Sequence, residues 1–208
     1  YPYSTCTHDL ATIQPLGTGR LNMDLKLKNK TAFITGSTAG IGFAIARGLA
    51  QEGAHVILNG RTKESVRGAV SKLKAMFPEA QISGFAADFG DSAQVDPLID
   101  ALPEIDILVN NVGIYAGKTY QETSDADWQS MLKVNLMSGV RLSRALLPGM
   151  KQRNWGRILF VSSECASLVP ADLIAYSCTK AAMQALSRGL AQTTAGLGVT
   201  VNSIVPGS

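Results

Sequence analysis

Six short apolar runs, separated by longer amphipathic stretches, constrain the fold of this chain more than any other feature. The runs mostly lack polar alternation, which is typical of strands buried on both faces of a sheet. They lie at 31–35, 54–59, 81–86, 105–110, 157–162 and 199–205. Helical patterns separate them at about 40–52, 62–76, 91–101, 125–151 and 174–196. This alternation predicts right-handed crossovers and an α/β fold with a doubly wound, parallel β-sheet.

The composition fits one domain with a large core. Hydrophobic residues make up 46% of the 208 residues and charged residues only 17%, which is typical of a compact globular protein. Residues 1–22 show no periodicity and are dotted with proline and glycine. We interpret them as an extension or an expression remnant outside the fold, and we expect a single domain over 23–208.

Charge and cysteine content exclude several classes of protein. The net charge of +3 is spread along the chain, without the Lys/Arg block that nucleic-acid binding uses. The three cysteines and two histidines show no metal-ligand spacing and no disulfide framework. No apolar run has the length of a membrane span, and the N-terminus lacks the apolar core of a signal peptide. We therefore expect a cytoplasmic protein that binds no metal, no nucleic acid and no membrane.

The first predicted strand is followed by a glycine-rich segment, Gly36-Ser37-Thr38-Ala39-Gly40-Ile41-Gly42. Glycine allows a tight turn and a close approach to a phosphate, and the helix that follows offers free N–H groups at its N-terminus. Three glycines alone are also compatible with an ordinary strand-to-helix turn. Their position after a strand and before a helix favours nucleotide binding.

Two further positions indicate chemistry. Tyr176 and Lys180 stand four residues apart on one helix, so the ammonium group can lie close to the phenol and lower its pKa from about 10. Asn135 is polar but falls on an otherwise apolar stripe, formed by Trp128, Leu132, Asn135, Gly139, Leu142 and Leu146. It is therefore expected to be buried with hydrogen-bond partners. Stabilisation of a local kink is the alternative role for Asn135, and a solvated helix surface is the alternative for the Tyr/Lys pair.

Together these residues resemble the classical short-chain dehydrogenase/reductase family. The segment from Thr35 to Gly42 follows the family's TGxxxGIG motif, and Tyr176 with Lys180 follows its Tyr-x3-Lys motif. Ser163, thirteen residues before Tyr176, occupies the family's position for the serine that hydrogen-bonds the substrate oxygen. Its neighbour Ser162 does not.

The resemblance covers nearly the whole chain after residue 30. Asp88-Phe89 matches the family's adenine-binding pair, and Asn202–Gly207 resembles the N-x-[IV]-x-P-G segment beside the nicotinamide. Asn110-Asn111-Val112-Gly113 resembles its NNAG motif, with Val112 in place of alanine. The resemblance implies a Rossmann-like sheet with strand order 3-2-1-4-5-6, whose last family strand is missing after Ser208.

The end of the second predicted strand favours NADP(H) over NAD(H). In NAD-binding sites an acidic residue near this point binds the ribose hydroxyls and would repel a 2′-phosphate. This chain has Gly60 there, followed by Arg61. A guanidinium pairs well with a phosphate dianion, although a solvated surface arginine is also common.

The resemblance implies specific roles for site residues. Asn135 is expected to hold a water linked to Lys180, Ser163 to bind the substrate oxygen, Tyr176 to be the acid/base, and Lys180 to lower the Tyr176 pKa and bind the nicotinamide ribose. The implied cofactor site consists of Gly36, Ser37, Thr38, Ala39, Gly40, Ile41, Gly42, Arg61, Asp88, Phe89, Asn111, Gly113, Tyr176, Lys180, Pro206 and Gly207.

The implied function is an NADP(H)-dependent oxidoreductase that interconverts a carbonyl and a secondary alcohol, similar to 3-oxoacyl-ACP reductases. The alternatives are an NAD-dependent sugar or alcohol dehydrogenase and a catalytically silent nucleotide-binding protein. Other residues near the site favour no substrate class; they are Ile114, Tyr115, Glu164, Cys165, Val169 and Pro170. Relatives in the family form homodimers or homotetramers through the two long helices, which here carry Met131, Met137, Met183 and Leu186.

Overall fold

The computed structural model describes residues 24–207, which form one α/β unit. Its strands are β1 (Thr31–Ile34), β2 (His55–Gly60), β3 (Ile82–Ala86), β4 (Ile107–Asn110), β5 (Gly156–Val161) and β6 (Val199–Ile204). Its α-helices are α1 (Gly40–Gln51), α2 (Lys63–Met76), α3 (Ser92–Ala101), α4 (Asp125–Met131), α5 (Ser138–Gln152), α6 (Cys165–Leu168) and α7 (Ile174–Gln192). A π-helical segment, Leu132–Met137, joins α4 to α5. The expected extension over 1–22 lies outside the described residues.

All strand pairs are parallel, and the strand order is β3-β2-β1-β4-β5-β6. The predicted fold class and order are confirmed. The order reverses between β1 and β4, where Ile34 is in register with both Leu58 of β2 and Val109 of β4. In doubly wound sheets, ligands bind beside the carboxyl ends of the strands at this reversal.

Helices cover both faces of the sheet, because the strands are apolar on both sides. Phe33, Leu108 and Phe160 belong to a buried cluster on one face, against α3, α5 and α7. Ile34 and Val56 belong to a second cluster on the other face, against α1 and α2. The sheet is packed between the two clusters, which fixes the positions of the strand ends. The loops at the carboxyl edge of the sheet therefore begin at well-defined positions.

The helix predicted over 125–151 is not continuous. It is interrupted at Leu132–Met137, where the Ser138 hydroxyl donates a hydrogen bond of 2.6 Å to the Val134 carbonyl oxygen. A π-helical turn adds about one residue to the local turn, so the side chains before it are rotated relative to a regular helix. Leu132, predicted to lie on the apolar stripe, is consequently 37% exposed, whereas Asn135 is 1% exposed.

Other differences concern element ends. The helix predicted over 174–196 ends at Gln192 and is followed by a turn in which Gly196 has φ of 79°. The short helix α6 was not predicted, because four residues show no periodicity. None of the helices between residues 24 and 207 combines the length and hydropathy needed to cross a membrane.

Candidate active site

The carboxyl ends of β1 and β4 are joined through Thr35 and Asn111. The Thr35 hydroxyl oxygen accepts hydrogen bonds of 2.9 Å from the backbone N–H groups of both Asn111 and Val112. The Asn111 side-chain amide donates to the carbonyl oxygens of Thr35 and Gly36, each at 2.9 Å. Asn111 therefore uses both amide protons to hold the glycine-rich loop against the loop after β4.

The glycines of the loop have different structural tasks. Gly36 and Gly40 adopt φ of 58° and 55°, which other residues rarely adopt. Gly42 instead allows close packing, since a Cβ atom there would lie 2.5 Å from Asn111 Nδ2 and 2.6 Å from Gly36 O. Ala39, the N-cap of α1, provides no side-chain cap. The first N–H groups of α1 therefore have no side-chain acceptor and are suited to bind an anion.

Asn59, at the end of β2, links three loops and was missed by the sequence analysis. Its Oδ1 accepts a 3.0 Å hydrogen bond from the Gly36 N–H, and its Nδ2 donates to the carbonyls of Phe85 and Ala87. Ser37 is fully buried and donates to the Ile34 carbonyl at 2.7 Å. The Ser37 side chain thus stabilises the glycine loop from its buried side and does not line the cleft. Asn59 could have been recognised as a polar residue at the end of an apolar strand.

A cleft of about 430 Å³ opens above these loops. Arg61 lines it, is exposed, and has no ion pair or hydrogen bond of its guanidinium with any residue in the described range. Gly60 also lines it, and a Cβ at that position would lie 2.5 Å from Thr38 Cγ2. This end of the cleft therefore offers a cation and lacks the acidic side chain of an NAD-type site, and a larger residue at position 60 would require the Thr38 side chain to shift.

Asp88 and Phe89 line the same cleft in different ways. The Asp88 carboxylate accepts a 2.8 Å hydrogen bond from the Gly90 N–H and thereby shapes the loop after β3. It does not cap α3; Asp91 does. The Phe89 ring is buried in the core cluster, so only the backbone of this residue is placed to meet a ligand.

A second cavity, of about 400 Å³, contains the predicted chemical groups. Ser163, Tyr176 and Lys180 all line it, as do Pro206 and Gly207. Asn111 and Gly113 line both cavities, so the two cavities adjoin each other at the loop after β4, and together they are called the groove. Ile41, the exposed residue of the glycine loop, lines the second cavity, whereas Ser37, Ala39, Gly40, Gly42 and Asn135 line neither.

The choice of Ser163 over Ser162 agrees with their surroundings. Ser162 is buried, donates to the Lys180 carbonyl at 3.0 Å and accepts from Gln184 at 3.1 Å. Ser163 is half-buried, accepts from the Cys165 N–H and is hydrogen-bonded to Tyr176. Both serines line the cavity, but the Ser162 hydroxyl is occupied in fixing α7 against β5.

Burial raises the pKa of the Tyr176 phenol above its ordinary value, and the hydrogen bond from Ser163 acts in the opposite direction. Cys165 and Tyr115 raise that pKa further. That Lys180 lowers the Tyr176 pKa stays a prediction. The Lys180 Nζ lies 5.5 Å from the Tyr176 ring centre and donates a 2.7 Å hydrogen bond to the Val161 carbonyl.

Lys180 is itself strongly affected by its environment. It is 3% exposed, and this burial lowers its pKa to about 8. A Cβ at Gly113 would lie 3.4 Å from Lys180 Nζ, so the ammonium group lies directly beneath the loop after β4. At neutral pH it is a buried cation that one carbonyl stabilises.

Asn135 is buried with hydrogen-bond partners, as expected. Its Nδ2 donates to Ile114 O at 2.9 Å and to Thr179 Oγ1 at 3.0 Å, and its Oδ1 accepts from Ile114 N at 2.7 Å. These bonds fix the loop after β4 and connect it to α7. They engage both amide protons, so a water linked to Lys180 would have to bind at Oδ1. That water-holding role stays a prediction.

Tyr115 was named in the sequence analysis only as a neighbour of the site. Its ring packs edge-to-face on Tyr176, with ring centres 5.9 Å apart, and it is 73% exposed. It forms an aromatic wall of the second cavity.

The sequence profile of the short chain dehydrogenase family matches residues 30–208. The chain is similar to the uncharacterized oxidoreductase YvaG of Bacillus subtilis, with 45% identity over 186 residues, covering 89% of this chain and 70% of that protein. It is also similar to the 3-oxoacyl-[acyl-carrier-protein] reductase of Aquifex aeolicus, with 34% identity over 191 residues, covering 89% of this chain and 76% of that protein.

Solved structures share the fold and much of the sequence. The L-sorbose reductase of Gluconobacter frateurii, crystallised with NADPH and L-sorbose, superposes with a TM-score of 0.84 at 37% identity. The match covers 89% of this chain and 72% of that one.

Proposed function

Because the chain belongs to the short-chain dehydrogenase family, we propose that it is an NADP(H)-dependent oxidoreductase that interconverts a carbonyl and a secondary alcohol. The observation that carries this proposal is the groove formed by the two adjoining cavities. Ser163, Tyr176 and Lys180 line one end of it, and the glycine loop and Arg61 line the other. A dinucleotide lying along the groove would extend from an anion-binding helix terminus to a proton-donating phenol.

The groove fits a dinucleotide phosphate. The uncapped N-terminus of α1 suits the pyrophosphate, and Gly36 allows the backbone to turn beneath it. Arg61 provides an unpaired guanidinium among the described residues for a 2′-phosphate, and Gly60 stands where an NAD-type site has a competing acid. NADPH in the similar L-sorbose reductase supports the same assignment.

In the reduction direction, Ser163 would donate a hydrogen bond to the substrate oxygen, and Tyr176 would deliver the proton to it. The bound cofactor would supply the hydride to the carbonyl carbon. Tyr176 can take the acid role because a phenol is protonated at neutral pH, and burial favours that protonated form further. Oxidation of an alcohol would need the tyrosinate, which the Ser163 hydrogen bond stabilises.

Lys180 would act through its positive charge, and Asn135 would act by positioning the loop after β4. The Lys180 ammonium, beneath Gly113, would bind the ribose next to the reacting ring and add positive charge near the phenol. Asn135 would hold Ile114 and α7 in register, so that the cofactor and Tyr176 keep a fixed separation.

Calorimetric titration with NADPH and, separately, NADH is the direct test. We expect tight binding of NADPH, weak binding of NADH, and NADPH-dependent reduction of carbonyl compounds. Tyr176→Phe should bind NADPH like the wild type and lose turnover. Substantial activity of that variant would contradict the acid role. Tighter binding of NADH would favour the NAD-dependent alternative, and binding of neither nucleotide would favour a silent protein.

The homodimer or homotetramer stays a prediction, but its expected contacts need correction. Met131 and Met183 are 3% and 1% exposed, so they belong to the protomer core and are not available to a partner. Leu186 does line an outer groove between α5 and α7, together with Val140, Leu147 and Leu190. We propose this groove as the contact surface of an oligomer.

A further inference from the structure

One charged side chain of the second cavity has no part in the mechanism above. Glu164 directly follows Ser163, is half-buried and lines the same cavity as Ser163 and Tyr176. It is the only acidic residue in the described lining of that cavity, and Lys180 is the only basic one. The Lys180 ammonium donates to the Val161 carbonyl and lies beneath Gly113. Glu164 therefore places a carboxylate in the lining of this cavity, next to Ser163 in the chain.

The backbone around Glu164 is fixed on both sides. Its N–H donates to the Pro206 carbonyl at 3.0 Å, and its carbonyl accepts from the N–H groups of Ser167 and Leu168 at 2.9 and 3.0 Å. Its carboxylate is also close to the neighbouring segment, because a Cβ at Gly207 would lie 2.9 Å from Glu164 Oε2. The carboxylate thus has a defined place in the cavity wall, one residue from the serine that would bind the reacting oxygen.

A carboxylate in this place discriminates between substrates by their own polar groups. It accepts hydrogen bonds, so a hydroxyl group next to the reacting carbon is favoured. It repels a second carboxylate, and the repulsion is stronger than between groups in open water because Glu164 is half-buried. The exposed Tyr115 ring on the Tyr176 side is uncharged and can pack on carbon atoms of the same substrate.

We infer that Glu164 is a specificity-determining residue that selects hydroxylated, uncharged carbonyl substrates and rejects 2-oxo acids. This inference rests on the proposed function. It assigns Glu164 to recognition and not to proton transfer.

The test is a comparison of matched substrates. Hydroxyacetone and pyruvate share a three-carbon skeleton and differ in whether a hydroxymethyl group or a carboxylate stands next to the carbonyl. Longer pairs of a 1-hydroxy-2-ketone and a 2-oxo acid extend the series. The ratio of kcat/KM for the two members of each pair is measured with NADPH for the wild type, Glu164→Gln and Glu164→Ala.

The wild type should prefer the hydroxyketone in each pair, and Glu164→Gln should reduce that preference about tenfold, since a hydrogen bond to a charged group contributes roughly this factor or more. Glu164→Ala should reduce it further. The NADPH dissociation constant should stay unchanged in both variants, which shows that the fold and the cofactor cleft are intact. Glu79→Gln, on the exposed surface at the opposite edge of the sheet, is the matched control and should keep the wild-type ratio.

A wild-type preference for 2-oxo acids would overturn the inference. So would a ratio that Glu164→Gln leaves unchanged while the wild type turns over both substrates. Both outcomes would leave the proposed function intact, because carbonyl reduction with NADPH would have been measured. Failure of the wild type to reduce any carbonyl compound, with or without NADPH binding, would contradict the proposed function and this inference with it.

Discussion

The side-chain oxygen of Asn59 accepts a hydrogen bond from the backbone N–H of Gly36 at 3.0 Å, so the end of β2 holds the turn of the glycine loop. The Asn59 amide also donates to the Phe85 and Ala87 carbonyls. One buried side chain therefore sets the relative positions of the loops after β1, β2 and β3, which together line the larger cleft.

Asn59→Leu should therefore weaken NADPH binding by roughly tenfold or more, because Gly36 loses its acceptor and two carbonyls lose a donor. Calorimetric titration measures the effect, and thermal unfolding is measured in parallel. Val56→Ala is the control, since it removes buried carbon atoms from the other end of β2. If both variants lose stability equally and neither loses NADPH affinity, Asn59 has only a structural role.

Arg61→Asp should weaken NADPH binding by roughly ten- to hundredfold, because a charge-assisted pair is replaced by repulsion. Binding of NADH should change little. Arg67→Asp is the matched control, since Arg67 is exposed on α2 and pairs with Glu64 at 3.2 Å. Equal losses for the two nucleotides would contradict recognition of the 2′-phosphate by Arg61.

Two glycines of α1 should respond to alanine in opposite directions. In Gly42→Ala the new methyl group would clash with Asn111 Nδ2 and Gly36 O, and we expect a loss of about 1–3 kcal/mol in unfolding free energy together with weaker NADPH binding. In Gly48→Ala no atom lies within 4 Å of the new methyl group, and better helix propensity should add about 0.5–1 kcal/mol. Denaturant unfolding measures both. A stabilising Gly42→Ala would show that the loop does not pack on α1 as described.

The buried Lys180 makes stability depend on pH in a specific window. Its pKa falls from 10.5 to about 8 on folding, so below pH 8 both states carry the charge and folding includes its full desolvation cost. Between about pH 8 and 10.5 the folded state binds fewer protons, and stability from this group rises with pH. Relative to Lys180→Met, the wild type should gain up to about 3 kcal/mol across that window.

Unfolding free energies of the wild type and Lys180→Met at pH 7 and 9.5 measure the part of this gain below pH 9.5, about 2 kcal/mol. Lys74→Met, at an exposed position of α2, should show a constant difference from the wild type. A constant difference for Lys180→Met as well would mean that Lys180 keeps an ordinary pKa.

Ser163→Ala should shift the pH profile of alcohol oxidation to higher pH. The Ser163 hydrogen bond lowers the Tyr176 pKa, and burial raises it. Removal of the Ser163 hydroxyl should therefore raise the Tyr176 pKa further. The alkaline rise of kcat/KM, which follows the tyrosinate, should move upward, and its plateau should fall because the substrate oxygen loses a donor. The exposed Ser167→Ala is the control. An unmoved midpoint would contradict the coupling between Ser163 and Tyr176.

The sequence predicted the sheet because its strands are short, apolar and regularly separated, a pattern that only burial on both faces explains. The resemblance to the dehydrogenase motifs implied that Ser163, Tyr176 and Lys180 act at one site, and all three line the same cavity. The sequence could not predict that Lys180 hydrogen-bonds Val161, or that Ser37 and Phe89 point away from the cleft. Those features depend on side-chain rotamers and on contacts between distant loops, which periodicity does not encode.

The π-helical segment Leu132–Met137 has a consequence for how this chain can change. Because a π-helical turn holds about one more residue than an α-helical turn, the extra residue is absorbed within the segment. A deletion of one residue there would convert the segment to a regular α-helix, and α4 would keep its orientation relative to α5. The side chains within the segment would change direction instead, and Asn135 would lose its hydrogen bonds to Ile114 and Thr179. The extra residue therefore gives this stretch a way to place one asparagine in the site while the two helices on either side keep their own packing.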